Sequence, residues 1–157
     1  MAVAVGIADP LGADIRALID ELNAVLSALS PPEACYMMSV EDMAEADTTV
    51  FIARDAESGA ALGCGALRRH AAGTGEVKRM YTRPAAQGRG VGGRILTEIE
   101  ACARAEGLAR LVLETGDRHP AAWRLYERGG FTRCGPVLDY PASPYSVFYE
   151  KPLIPHA

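Results

Sequence analysis

Apolar positions change their spacing several times along this chain, and each change marks an element. Residues 1–8 (MAVAVGIA) are a short β-rich run, and Asp9-Pro10 follows as an N-cap with proline in the first helical turn. Ile15, Leu18, Ile19, Leu22, Leu26 and Leu29 then recur at helical spacing until Pro31-Pro32 stops the pattern, which predicts one amphipathic helix packed on a core. Residues 33–46 carry a weaker signal. Tyr36, Met37 and Met38 suit either a cleft wall or core, and the acidic segment after them predicts a helical turn or two. Residues 48–54 (TTVFIAR) are β-branched enough for a strand, 55–59 supply a turn, and 60–69 read as a second strand of a hairpin. A third antiparallel strand follows at 76–82, where alternation sets Glu76, Lys78, Met80 and Thr82 on one face and Val77, Arg79 and Tyr81 on the other.

Val91, Ile95, Ile99, Cys102 and Ala103 make the clearest helical stripe, with Arg94/Glu98 and Glu100/Arg104 on the outer side and Gly107 as the stop. The apolar run 108–115 (LARLVLET) suits a strand buried on both faces, so strand, helix and strand form a right-handed βαβ unit. After a loop at 116–119, Pro120 opens a shorter helix in which Ala122, Leu125, Tyr126 and Gly129 share a face. Residues 131–138 and 146–151 read as closing strands around the Pro- and Tyr-rich loop 139–145. The expectation is one α/β domain over residues 1–157, with a mixed, largely antiparallel sheet flanked by helices.

Composition narrows the class. Apolar residues are 49% of the 157 and charged residues 23%, which suits a folded globular chain. A formal charge of -4 gives no general attraction to nucleic acid or to an anionic membrane, and no apolar run approaches the ~20 residues of a membrane helix. Arg79, Arg83, Arg89 and Arg94 read as a local basic cluster serving a small anionic ligand. Cys35, Cys64, Cys102 and Cys134 lie far apart, with no Cys-x-x-Cys pair and no partnering histidines, so no metal site is expected. With no signal peptide, they read as reduced, mostly buried thiols of a cytoplasmic protein.

The chemistry concentrates between strand 76–82 and the helix after it. Gly88, Gly90, Gly92 and Gly93 crowd a turn at a helix start, where backbone N–H groups form an anion cradle that side chains would block. A nucleoside-triphosphate loop needs Gly-Lys followed by Ser or Thr, which is missing. Gly88, Gly90 and Gly93 satisfy Gly-x-Gly-x-x-Gly, with Glu114 about 20 residues on, as in a dinucleotide fold. However, residues 83–87 separate the strand from the first glycine, and too little chain follows for the further βα units that fold requires.

A third reading rests on resemblance. Gln87-Gly88-Arg89-Gly90-Val91-Gly92 resembles the Arg/Gln-x-x-Gly-x-Gly/Ala signature of the GCN5-related N-acetyltransferase (GNAT) family, and Ala122-Trp123-Arg124-Leu125-Tyr126-Glu127-Arg128-Gly129-Gly130-Phe131 resembles its second signature. The resemblance covers residues 76–131 closely and implies the GNAT fold with acetyl-CoA as co-substrate. It implies that the amides of Gly88 to Gly93, with Gln87, Arg89 and Val91, hold the CoA pyrophosphate, helped by Arg83. It further implies that the main chain of Met80 and Thr82 pairs with the pantetheine arm where the fourth and fifth strands splay.

In the family's reaction an amine attacks the thioester directly. Tyr126 resembles the general acid, Met80 N–H the oxyanion donor and Glu76 the base, acting through a water, with Glu114 as the other contender for base. His119 stands where many members carry an asparagine seven residues before the tyrosine, and either hydrogen-bonds the pantetheine region or simply starts the helix. The implied activity is acetyl transfer to a primary amine of a small molecule or peptide, and dimerisation is compatible with the family. A non-catalytic acyl-CoA-binding module is the alternative. The acceptor would be set by residues 33–46 and 139–145, where Glu41, Asp42 and Asp139 suit a cation or simply face solvent.

Overall fold

The computed structural model describes residues 2–32 and 36–153. Cys35, expected as a buried thiol, lies outside the described residues, as do Met1 of the first expected strand and the first three residues of the 33–46 segment. Strands β1 (Val3–Ile7), β2 (Thr48–Asp55), β3 (Ala61–His70), β4 (Thr74–Thr82), β5 (Arg110–Gly116), β6 (Thr132–Cys134) and β7 (Ser146–Pro152) form one sheet in the order β1-β2-β3-β4-β5-β7-β6. Every neighbouring pair is antiparallel except β4–β5, which is parallel because a helix carries the chain between them. This is the mixed, largely antiparallel sheet flanked by helices that the pattern predicts.

Helices α1 (Ala13–Leu29) and α2 (Val40–Met43) cover one face, and α3 (Val91–Ala105) and α4 (Pro120–Arg128) the other. Alternation in β2 feeds both layers. Val50 and Ile52 join Ile15, Leu18, Ile19 and Leu22 of α1, while Phe51 and Ala53 join Val91, Ile95, Ile99 and Ala103 of α3. Each large aliphatic side chain so buried contributes about 1.5–3 kcal/mol. Val112 of β5 packs with Val137 and Phe148 on the α1 side, while its neighbours Leu111 and Leu113 join the α3 core.

Two boundaries differ from the sequence pattern. Asp9 does not cap α1: its Oδ1 accepts the Leu11 N–H at 2.9 Å, and its carbonyl accepts Gly12 N–H at 3.1 Å. That turn holds the first residues out of the helix, so Gly12 becomes the N-cap. The strand expected over 131–138 is only three residues long. Gly135 and Pro136 end it because proline has no N–H for the ladder, and Leu138 then turns at φ 53°.

The cysteines Cys64, Cys102 and Cys134 are free, and only Cys64 is fully buried. Burial pushes its thiol up to about 12, so it stays protonated. Among the described residues no helix is long and apolar enough to cross a membrane, and no group of three or more His, Cys, Asp or Glu is placed to hold a metal ion.

Candidate active site

The site is built on β4. Pairing between β3 and β4 runs from Ala66↔Lys78 to Cys64↔Tyr81, so β4 carries one extra residue, and Arg79 adopts φ 56°. Glycines on β3 make room for this bulge. A Cβ at Gly63 would stand 2.4 Å from the Tyr81 carbonyl oxygen, and one at Gly65 2.4 Å from Met80 Sδ.

The bulge corrects the expected alternation. Val77 and Met80 both pack towards α3, whereas Tyr81 packs towards α1. Glu76 and Lys78 face Tyr140, which packs on the α1-side cluster of Val112 and Phe148, so Glu76 and Met80 project from opposite faces. The extra residue has reversed the parity of the strand.

Parallel pairing between β4 and β5 stops after Glu76↔Val112. Beyond it the strands separate, each still paired on its outer side, β4 to β3 through Thr82 and β5 to β7 through Gly116. Arg83 N–H donates to Leu62 O of β3 at 2.9 Å. Alternation therefore turns the Met80 and Thr82 amides away from β3, into the gap. The gap opens a cleft of about 900 Å³ that passes through the sheet, with Leu22, Val25, Leu26 and Tyr36 at its α1 end and the glycine turn and α4 at the other.

At that second end Pro84–Ala86 forms a 3-10 turn, and Gly88 (φ 83°) and Gly90 (φ 75°) take the left-handed conformation that lets the chain enter α3. A Cβ at Gly88, Gly90 or Gly93 would meet nothing within 4 Å, so the surface there is open. The first intrahelical bond is Arg94 N–H to Gly90 O at 3.1 Å, which leaves the amides of Val91, Gly92 and Gly93 ahead of the ladder. No side chain caps them and no acidic residue lies in the first turn. Gln87, Gly88, Gly90, Val91, Gly92 and Gly93 all line the cleft, whereas Arg89, grouped with them from sequence, does not.

The four arginines near this turn do not form a cluster. Arg79 is buried and donates to Asn23 Oδ1 of α1, and Arg83 is paired with Glu21 at 2.9 Å. Arg89 reaches Asp55 at 3.2 Å, while Arg94 is exposed. Carboxylate and amide partners from distant segments take the first three. Of these four only Arg79 lines the cleft; the other arginines lining it are Arg118, Arg124 and Arg128, of which Arg124 and Arg128 share a helical face at i,i+4.

Tyr126 reaches the cleft from α4, held between Phe131 (centroids 5.9 Å apart) and Tyr149 (6.1 Å). Burial, and secondarily the Glu114 carboxylate, push its hydroxyl far above the ordinary tyrosine value. His119 also lines the cleft, packed on Gly116, with Nε2 buried and unpartnered among the described residues; burial holds its pKa down.

Two carboxylates flank the gap. Glu76, only 2% exposed, is saturated: Oε1 bonds His70 Nε2 at 2.9 Å, while Oε2 accepts from Tyr140 Oη at 2.5 Å and lies 3.4 Å from Lys78 Nζ. Glu114 accepts from Ser146 Oγ at 2.8 Å, and burial raises its pKa. Lys78 also donates to Tyr140 Oη at 2.8 Å, and Tyr140 meets Tyr36 edge to face at 5.0 Å. Thus the segments 33–46 and 139–145, both assigned to the acceptor from sequence, touch through Tyr140 and Tyr36, and Tyr36 lines one end of the cleft. Tyr36 stands out in the sequence as cleft wall or core, whereas Tyr140 and Lys78, which join it to Glu76, carry no motif. Met38 belongs to the core.

Chemically, the cleft offers an anion cradle, outward-facing strand amides, a protonated hydroxyl and a basic carboxylate along one gap. Known proteins resemble this chain over most of its length. Residues 46–133 match the acetyltransferase (GNAT) domain profile. An IAA acetyltransferase of Azospirillum brasilense is 41% identical over 145 residues, covering 92% of this chain and 94% of that protein. An uncharacterised N-acetyltransferase, YsnE of Bacillus subtilis, is 34% identical over 92% of this chain and 96% of its own. A crystal structure from Klebsiella pneumoniae, described as a candidate acyl-CoA N-acyltransferase, superposes with a TM-score of 0.82 at 32% identity, covering 97% of this chain and 98% of that one. The PaiA N-acetyltransferase of Thermoplasma acidophilum, solved in complex with coenzyme A, shares the fold at a TM-score of 0.74 and 16% identity, over 98% of this chain and 100% of that one. A chain that matches this profile over residues 46–133, and that is a third or more identical to two acetyltransferases over nine-tenths of its length, belongs to the GNAT acetyltransferase family.

Proposed function

We propose that this acyltransferase moves an acetyl group from acetyl-CoA to a primary amine of a small molecule or peptide in the cytoplasm. The observation that carries the reading is the end of β4–β5 pairing at Glu76↔Val112, which leaves the Met80 and Thr82 amides facing a cleft that begins at an uncapped helix start. The pyrophosphate lies on the amides of Gly88 to Gly93, and the pantetheine arm runs along Met80 and Thr82. The acceptor enters from the end walled by Leu22 and Tyr36, with Tyr140 packed behind Tyr36.

The amine nitrogen attacks the thioester carbonyl carbon, and Met80 N–H receives the developing oxyanion. Glu114, made more basic by burial, takes the amine proton. Glu76 has three donors already and positions Lys78 and Tyr140 instead. The C–S bond then breaks and the thiolate leaves. A thiol ionises near ~8.5, far below the value to which burial has pushed Tyr126. Full proton transfer from Tyr126 is therefore strongly uphill, so the hydroxyl hydrogen-bonds the thiolate and solvent completes the thiol.

Calorimetric titration with acetyl-CoA, followed by thiol release over a panel of amines, tests the reading. Because a relative is named for IAA, the panel includes IAA. Absence of acetyl-CoA binding at millimolar concentration overturns the proposal; binding without thiol release from any acceptor favours an acyl-CoA-binding module.

A further inference from the structure

Arg89 lies between the two left-handed glycines of the turn, where a cation invites assignment to the ligand's phosphates. Its side chain goes the other way. It is absent from the walls of the cleft, its Nε is buried without a partner among the described residues, and Nη2 lies 3.2 Å from Asp55 Oδ2. Asp55 ends β2, and its Oδ1 accepts the N–H groups of Glu57 (2.9 Å) and Ser58 (3.1 Å), which shapes the β2–β3 turn. One carboxylate thus ties a rigid hairpin turn to the glycine turn, with Asp55 13% and Arg89 26% exposed at the side chain. Gly88 and Gly90 have no Cβ with which to anchor the turn, and Gly88 is exposed. A Gly-x-Gly segment without such a tie samples many backbone states, which a ligand must then order.

We propose that Arg89 is a positioning residue whose ion pair with Asp55 braces the glycine turn from behind, ordering its amides before a diphosphate arrives. This rests on the function proposed above. The two possible roles of Arg89 predict opposite signs for one substitution. Asp55→Asn keeps an acceptor for the β2–β3 turn but releases the guanidinium. If Arg89 braces the turn, release weakens ligand binding; if Arg89 serves the phosphates, release leaves binding unchanged or tightens it.

Coenzyme A is titrated calorimetrically into wild type, Asp55→Asn, Arg89→Gln and the double variant. Each single variant is expected to raise Kd by about tenfold, equal to about 1.4 kcal/mol, and the double variant no more than either, because both break one contact. KM for acetyl-CoA rises in step while kcat stays within about twofold, and Arg89→Lys recovers most of the loss. Tight binding by Asp55→Asn beside weak binding by Arg89→Gln overturns the brace, as do two singles equal to wild type. If the wild-type protein binds no coenzyme A, the proposed function falls, and the brace is judged by limited trypsin cleavage of the ligand-free protein. Faster cutting after Arg89 in Asp55→Asn than in wild type, relative to cutting after the exposed Arg94, supports the brace, and equal rates refute it.

Discussion

Replacing Gly63 by alanine tests whether the bulge in β4 shapes the cleft. The added Cβ would stand 2.4 Å from the Tyr81 carbonyl oxygen, 3.1 Å from Val91 Cγ1 and 3.3 Å from Thr82 Cα. The nearest obstacle is backbone rather than a side-chain tip, so relief requires the bulged strand itself to move, carrying the Met80 and Thr82 amides with it. Overpacking of this kind costs about 1–3 kcal/mol, which for a chain of this length lowers Tm by roughly 3–10 °C. Displacement of strand amides by a fraction of an ångström should also reduce kcat/KM by about tenfold or more. Gly6→Ala is the matched control, because Gly6 also lies in a strand of the same sheet but its Cβ would meet nothing within 4 Å. Thermal unfolding and acetyl-CoA kinetics are measured on both variants. If Gly63→Ala melts within about 1 °C of Gly6→Ala and keeps its KM for acetyl-CoA, the β3 glycine does not accommodate the bulge and the reasoning fails.

Two further substitutions address the chemistry directly. Tyr126→Phe should lower kcat by about tenfold or more while coenzyme A affinity measured by calorimetry stays nearly unchanged, since only a hydrogen bond to the leaving thiolate is lost. Glu114→Gln should lower kcat/KM by about 10²–10⁴ and should act oppositely on stability. Burial raises the folded pKa of Glu114 above its unfolded value, so the stability present below about pH 4.3 is lost as pH rises through the folded value. Glutamine has no such proton to lose, and the melting temperature of the variant should gain on wild type as pH rises from about 4 through the raised folded value; a constant difference would contradict the shift.

What the sequence made legible follows the range of each interaction. The α3 stripe of Val91, Ile95, Ile99, Cys102 and Ala103 is a local periodicity, and the structure buries all of them but Cys102, which is half-buried. The glycine turn and Tyr126 belong to compact motifs, and both line the cleft. The arginines have partners distant in sequence, 56 residues for Arg79 and Asn23, 62 for Arg83 and Glu21, 34 for Arg89 and Asp55, so no local pattern reveals where their charges go. Tyr140 lies 64 residues from the Glu76 it hydrogen-bonds, so nothing near either residue signals the pair. The bulge was hidden for a related reason. Its cause lies in Gly63 and Gly65 on the neighbouring strand, and alternation along β4 alone cannot register an inserted residue.

The divergence of β4 from β5 also gives this sheet four borders instead of two. Two are the outer strands β1 and β6, and two are the inner halves of β4 and β5 that face one another across the opening. Unpaired main-chain groups on an outer border invite another protein's strand and so favour aggregation. On the inner borders the opposing half-sheet, α1 and α4 exclude a partner as broad as a second sheet, while a single slender chain with its own amide groups can still enter. The molecule thus carries unspent pairing capacity in the middle of its sheet and shields it by size exclusion.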